Sequence, residues 1–196
     1  LLIDRQSAKE AKHNVLLPKS SAEYGDFARL QVEDAVNYFE KLFNKKPKGF
    51  WPSEGSVSLK TISLLSSTGV KWACTDEEIL AKTLKDSNKE LLYKPYTLKT
   101  ENGDVNLFFR DKYLSDLIGF DYSKKSAKEA ASDFVSHLKN IYLNASSSPI
   151  VPVILDGENA WEFYPNNAKA FFEELYTLLD AQTWCETVLF DEVPEI

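Results

Sequence analysis

The sequence predicts an α/β fold, in which helices alternate with the strands of one sheet or barrel. Two observations predict it. Apolar residues recur at steps of three and four in several segments, which is the period of an amphipathic helix. Between these segments lie short apolar runs bounded by Gly or Pro, which are typical of strands. The length of 196 residues suits one domain or a piece of a larger one, so we expect residues 1–196 to belong to a single domain.

The first half of the chain predicts an irregular lead-in and then two helix–strand pairs. Residues 1–28 show no apolar period. The apolar steps that follow indicate a helix over 32–43, a strand over 49–51 and a second helix over 57–65, which Gly69 ends. A second strand is expected over 70–74, and the acids after Thr75 predict the start of a short helix.

The second half predicts a hairpin, two helices and two strands. Asn102-Gly103 lies between apolar stretches at 91–98 and 105–109, a pattern typical of a β-hairpin. Ser126 and Glu129 have the spacing of a capping box before a helix over 126–142. The run IVPVIL at 150–155 predicts a strand buried on both faces, although Pro152 has no N–H to donate to a sheet. A helix over 168–179 and a strand over 187–190 follow.

Composition excludes several classes of function. The net charge is −7 and no basic block is present, so we expect neither a nucleic-acid partner nor binding to an anionic membrane. No apolar run approaches the roughly 20 residues of a membrane span. Glycine-rich nucleotide-binding patterns are missing. We expect no cofactor.

Histidine and cysteine are too scarce for the common metal and nucleophile chemistries. The two histidines and two cysteines are scattered, so the local spacing of a zinc site is missing and a disulfide framework is unsupported. The missing signal peptide and the few cysteines mildly favour a reducing, cytoplasmic location. Acid–base chemistry therefore falls to carboxylates.

Two carboxylates stand at the ends of predicted strands. Glu54 follows the strand at 49–51, and Asp156 follows the strand at 150–155. In an α/β barrel both would lie at the face where active sites are built. Trp51 and Trp161 flank them, and a carboxylate pair with aromatic walls suits glycoside hydrolysis. Each acid also has an ordinary interpretation, as an acid near a helix N-terminus and as half of an Asp-Gly turn.

Four sequence blocks resemble glycoside hydrolase family 57. GFWPSEGSVS at 49–58 is similar to the segment that carries the family's nucleophile, and VILDGENAWE at 153–162 to the one that carries its acid/base aspartate. FRDKYLSDLIGF at 109–120 and TDEEIL at 75–80 resemble two further blocks, in the same order along the chain. The resemblance covers almost the whole sequence.

The resemblance implies a fold, a reaction and site residues. The fold would be an incomplete seven-stranded β/α barrel, and the activity hydrolysis or transfer of α-glucan chains with retention of configuration. Glu54 would be the nucleophile and Asp156 the general acid/base. Further roles are implied, each with a structural alternative such as packing or an ordinary salt bridge. Arg110, Asp111, Trp51 and Trp161 would contact substrate, and Asp116 and Glu158 would orient the catalytic pair.

The chain departs from the family at its start. The histidine-rich first strand of the family has no counterpart, since His13 stands in AKHN with no strand before it. We therefore expect a fragment of one glycosidase catalytic domain that lacks its first strands, is weakly active or inactive alone, and self-associates through exposed strand edges.

Three alternatives to an α-glucan hydrolase stay open. A transferase, of the 4-α-glucanotransferase or branching type, differs only in whether water or a sugar hydroxyl accepts the glycosyl group. A non-catalytic remnant would bind glucan without cleaving it. A purely structural α/β module would bind no sugar.

Overall fold

The computed structural model describes residues 5–11, 14, 16–17, 24–157 and 161–193. The chain divides into two compact units, which are described separately. The first unit takes the chain up to Thr75 together with Tyr96–Phe108, and the second takes Asp76–Pro95 and Phe109–Val193.

A four-stranded sheet is the centre of the first unit. Its strands are β1 (Gly49–Phe50), β2 (Trp72–Asp76), β3 (Tyr96–Thr100) and β4 (Gly103–Arg110), in the order β1-β2-β4-β3. The last residue of β2 and the last two residues of β4 are assigned to the second unit. Strands β1 and β2 are parallel, whereas β3 and β4 form an antiparallel hairpin. The hairpin turns at residues 101–102, and Gly103 follows with a φ of 124° that side chains rarely adopt. The asparagine–glycine pair thus ends the turn, as predicted.

In the described residues of the first unit the helices are α1 (Arg5–Ala11), α2 (Gly25–Phe43) and α3 (Leu59–Ser67). The Ser58 side chain accepts a hydrogen bond from the Thr61 N–H at 3.2 Å and so caps the start of α3. Gly69, with a φ of 89°, ends it. Helix α2 begins seven residues earlier than the predicted residue 32. The core of the unit consists of Ile62, Leu65, Val70, Ala73 and Val105.

Helices dominate the second unit. They are α4 (Glu77–Leu84), α5 (Lys89–Leu92), α6 (Lys112–Asp116), α7 (Ala127–Asn144) and α8 (Lys169–Asp180). The capping box at the start of α7 is confirmed: the Ser126 hydroxyl accepts from the Glu129 N–H, and the Glu129 carboxylate accepts from the Ser126 N–H. Helix α7 packs against α8, and their shared core includes Phe134 and Phe171. No helix in the described residues is long and apolar enough to cross a membrane.

Two predicted strands are wrong. Residues 150–155 adopt neither helix nor strand, and neither do residues 187–189. The first segment is held by isolated hydrogen bonds and not by a ladder. Two of them are between backbone groups: the Ile150 N–H donates to the Tyr93 carbonyl at 2.9 Å, and the Pro152 carbonyl accepts from the Asp111 N–H at 2.9 Å. Pro152 has no N–H to donate, which accounts for the missing ladder. The predicted α/β class is confirmed, whereas the seven-stranded barrel stays a prediction.

Candidate active site

Glu54 lies on a strained turn directly after β1. The turn is a 3₁₀ turn at Ser53–Gly55, in which Glu54 has φ 56° and ψ 25°, a left-handed conformation that costs a residue with a side chain about 1–2 kcal/mol. The Gly55 N–H donates to the Pro52 carbonyl at 2.8 Å, and the buried Thr75 hydroxyl donates to the Gly55 carbonyl at 2.5 Å. These bonds hold the turn while the Glu54 side chain stays exposed. Strain of this kind is often found at functional sites.

Asp156 is exposed at the end of the extended segment 150–155, and in the sequence it precedes Gly157. Besides the Ile150–Tyr93 hydrogen bond, three interactions fix that segment within the second unit. One is the Asp111–Pro152 backbone hydrogen bond. The Ile154 N–H also donates to the Ser115 hydroxyl at 3.1 Å, and the Ile154 carbonyl accepts from the Arg110 Nε at 2.9 Å. The last two bonds act two residues before Asp156, so they set the position from which its carboxylate projects.

Arg110 and Asp116 form one half-buried ion pair. The Arg110 Nη2 donates to Asp116 Oδ1 at 2.8 Å, and the Lys112 ammonium donates to the other carboxylate oxygen. Burial acts to raise the pKa of Asp116, but the hydrogen bonds from Lys112 and Arg110 outweigh it and lower that pKa. Asp116 therefore orients Arg110, which in turn holds the Ile154 carbonyl. The pair acts on the segment that leads to Asp156.

Asp111 is almost fully buried, with 2% of its surface exposed. Its Oδ1 accepts from the Leu114 N–H at 2.9 Å and caps α6, and its Oδ2 accepts from the Tyr93 hydroxyl at 2.7 Å. Burial, aided by this hydrogen bond, raises the pKa of Tyr93. Both carboxylate oxygens are thus engaged inside the unit, which is a structural function that the resemblance did not imply.

The two tryptophans flank the carboxylate segments, and both are half-buried. The Trp161 ring packs 4.8 Å from the Phe172 ring and 6.0 Å from the Tyr164 ring, measured between centroids. The Tyr164 hydroxyl donates to the Ile118 carbonyl at 2.5 Å, which holds this region in the core. Trp161 therefore has a packing role, and the exposed part of its side chain is accessible to a sugar. Trp51 follows β1, three residues before Glu54.

Glu54 lies in the first unit, whereas Asp156, Arg110, Asp111, Asp116 and Trp161 lie in the second. Glu158 and His13 fall outside the described residues. Among the residues that the structure describes, no group of three or more His, Cys, Asp or Glu side chains could hold a metal ion.

Sequence reasoning missed the supporting residues Ser115, Tyr93 and Thr75. Ser115 is fully buried and could have been noticed as a polar residue within the block 109–120. The partners of Tyr93 and Thr75 lie 18 and 20 residues away in the chain, and no local pattern indicates such pairs.

Comparison with known proteins identifies the family. The family model described as glycosyl hydrolase family 57 matches residues 15–195. The chain belongs to glycosyl hydrolase family 57. The match includes both carboxylate segments of this family 57 chain. It confirms the resemblance seen in the sequence. A comparison with curated proteins gives no match.

Two solved structures share the fold of this family 57 chain. One is the 4-alpha-glucanotransferase from Thermococcus litoralis, with a TM-score of 0.60 and 21% sequence identity, over 84% of this chain and 24% of that one. The other is the alpha-amylase AmyC from Thermotoga maritima, with a TM-score of 0.68 and 17% identity, over 87% of this chain and 45% of that one. The family 57 chain thus spans less than half the length of either structure.

Proposed function

We propose that this chain carries the catalytic carboxylates of a retaining glycosidase that acts on α-glucans. The observation that carries the proposal is the family match, which runs through the segments of both Glu54 and Asp156. The α-glucan substrate follows from the two structural neighbours, which are an amylase and a glucanotransferase. The strained backbone of Glu54 adds support, because the chain keeps an acidic residue where glycine would be less costly.

In the proposed mechanism Glu54 is ionised and attacks the anomeric carbon of the substrate. A bond forms between its carboxylate oxygen and that carbon while the glycosidic bond breaks. Asp156 is protonated at this stage and gives its proton to the departing oxygen. It then removes a proton from the incoming acceptor, which attacks the same carbon and releases Glu54. Two displacements at one carbon retain its configuration.

Arg110, Asp116 and Ser115 serve this mechanism by positioning. Their hydrogen bonds fix the backbone of Ile154, two residues before Asp156. The Asp156 carboxylate would therefore need little reorganisation during the reaction. Trp51 and the exposed part of Trp161 offer apolar ring faces to the C–H faces of a sugar ring.

The test is turnover of maltooligosaccharides by this chain, for which we expect only a weak rate, and by its Glu54→Gln and Asp156→Asn variants, with long incubations at high protein concentration so that the parental rate is measurable. We expect each variant to lose turnover on the order of 10³-fold or more, since each removes a group that reacts. Glu174→Gln, at an exposed acid on α8, is the matched control and should keep the parental rate. Turnover near the parental level in Glu54→Gln would contradict the assignment.

Transglycosylation is the second candidate, because one structural neighbour is a 4-alpha-glucanotransferase. It uses the same first step and differs in the acceptor. An isotopically labelled maltose added to the reaction separates the two. Label in longer products indicates transfer, whereas unlabelled shorter products indicate hydrolysis. Sugar binding with no turnover would instead indicate a non-catalytic remnant.

A further inference from the structure

The second unit contains a cavity that neither Glu54 nor Asp156 lines. Its volume is about 380 Å³, within the roughly 300–1,000 Å³ of small-molecule sites. Its walls come from three parts of the chain: residues 88–94, residues 111–114, and the last two turns of α7 with the segment that follows. The cavity is therefore large enough to take a sugar unit.

One wall of the cavity is aromatic. Tyr113 lines it and is 54% exposed, although the next two residues of α6, Leu114 and Ser115, are buried. The His137 ring meets Tyr113 edge-on, with centroids 5.2 Å apart and an interplanar angle of 87°. The Tyr113 hydroxyl lies 3.4 Å from His137 Nε2. His137 thus supports the Tyr113 ring, which offers an apolar surface and a polar tip side by side.

Three asparagines line the same cavity and keep unused hydrogen-bonding groups. Within the described part of the chain, the whole side-chain amide of Asn140 makes no hydrogen bond. Asn88 uses its Oδ1 to cap α5, and Asn144 uses its Nδ2 to bond the Asn140 carbonyl. The Nδ2 of Asn88 and the Oδ1 of Asn144 are therefore available to hydrogen-bond a ligand. An amide both donates and accepts hydrogen bonds, as a sugar hydroxyl does.

The charges around the cavity favour a neutral ligand. The ammonium of Lys89 is held by Glu77 Oε2 at 2.6 Å, and the buried Asp111 is engaged by Tyr93. The remaining charges in the lining, Lys94 and Glu90, have opposite signs. A phosphate or carboxylate ligand would need a surplus of cationic donors, which this balance does not supply.

We infer that this cavity binds a neutral pyranose ring, which stacks on Tyr113 and hydrogen-bonds to Asn140. The inference rests on the proposed function in one respect only, the choice of an α-linked glucosyl unit as that ring. The cavity is thus a sugar-binding site on the second unit, separate from the two residues assigned to the reaction.

The test is an NMR titration of the ¹⁵N-labelled 196-residue chain with maltotriose. We expect shifts in the amides of 113 and of 137–147. Tyr113→Ala and Asn140→Ala should each weaken binding about tenfold, equivalent to about 1.4 kcal/mol. Asn140 is exposed, so its variant leaves the core intact, and Tyr113→Phe should keep most of the affinity because it keeps the ring. Tyr38→Ala, at an exposed ring on α2, is the control and should bind as the parent does.

Several outcomes would overturn the inference. They are the lack of any binding, parental affinity in both Tyr113→Ala and Asn140→Ala, or displacement of maltotriose by inorganic phosphate. Turnover, measured separately, distinguishes the two proposals. Loss of turnover in Glu54→Gln with cavity binding unchanged supports both. Turnover that depends on Glu54 without cavity binding supports the proposed function and refutes the cavity, whereas cavity binding with parental turnover in Glu54→Gln does the reverse.

Discussion

The strained turn at Glu54 predicts that glycine is more stabilising than alanine at this position, whereas alanine is usually the more stabilising of the two. At φ 56° glycine adopts the backbone without the cost of about 1–2 kcal/mol that falls on other residues. Glycine also gains freedom in the unfolded chain, which costs about 0.4–1 kcal/mol of stability. The difference between the mid-values of these two ranges predicts that Glu54→Gly is more stable than Glu54→Ala by about 0.8 kcal/mol.

A matched pair at Glu174 supplies the control. Glu174 is exposed in the middle of α8, where the backbone is helical. There glycine costs about 1 kcal/mol relative to alanine, so Glu174→Ala should be the more stable variant. The same two substitutions thus have opposite rankings at two exposed glutamates.

The assay is urea unfolding followed by circular dichroism and tryptophan fluorescence, with thermal melts beside it. In a chain of this size a change of 1 kcal/mol moves the melting temperature by roughly 2–4 °C. Both Glu54 variants should also lack turnover, because both remove the carboxylate. A Glu54→Gly chain that is more stable than Glu54→Ala but has no turnover would indicate that the strained backbone is kept for function. If Glu54→Ala proved equal to or more stable than Glu54→Gly, the reasoning about the turn would be refuted.

Three further predictions concern packing, pH and thiol chemistry. Gly49→Ala should destabilise the first unit, because the added Cβ would lie 2.0 Å from the Trp72 ring; differential scanning calorimetry with no loss of stability would contradict this close approach. The lowered pKa of Asp116 adds stability that is present at neutral pH and is lost as the pH falls through that pKa. In Asp116→Asn the free energy of unfolding should therefore decrease less at acid pH than in the parent, as measured by urea titrations at several pH values. Burial raises the pKa of Cys74 to about 12, so a thiol reagent at neutral pH should label the partly exposed Cys185 first, and equal labelling rates would contradict the burial of Cys74.

Local patterns predicted the elements whose determinants are adjacent in sequence. Ser126 and Glu129 are three residues apart and cap each other, and Asn102-Gly103 marks the hairpin turn. Gly69 ends α3 because the backbone there has a positive φ. In each case the residues that decide the geometry lie within one turn of each other, so a single sequence suffices.

The failed predictions depend on partners far away in the chain. Residues 150–155 are apolar enough for a strand, but Pro152 lacks the backbone N–H that a ladder would need. The segment instead makes hydrogen bonds to Tyr93, Asp111 and Ser115. At the left-handed turn 166–168, Asn166 and Asn167 are residues that tolerate this conformation, whereas Ala168, with a φ of 63°, gives no sign of it in the sequence.

The sequence selects Glu54 and Asp156 as candidate site residues, but it does not indicate the residues that support their segments. Glu54 and Asp156 were selected by their places at the ends of predicted strands and by the family blocks. The interpretation of Arg110 and Asp111 as substrate contacts gave no hint of their internal bonds to Ile154 and Tyr93. Those bonds join residues 44 and 18 positions apart, beyond the reach of periodicity.

The central claim is that Glu54 is the nucleophile of a retaining glycosidase. The most direct measurement treats the Asp156→Asn chain with an α-maltosyl fluoride and identifies the labelled peptide by mass spectrometry. Fluoride leaves without help from an acid, so the first step can proceed, while loss of the base slows the second and the glycosyl-enzyme accumulates. We predict a maltosyl group on the peptide that contains Glu54. The double variant, with both Asp156→Asn and Glu54→Gln, should carry no label. Label on another residue, or equal labelling of the Asp156→Asn chain with and without Glu54→Gln, would contradict the account.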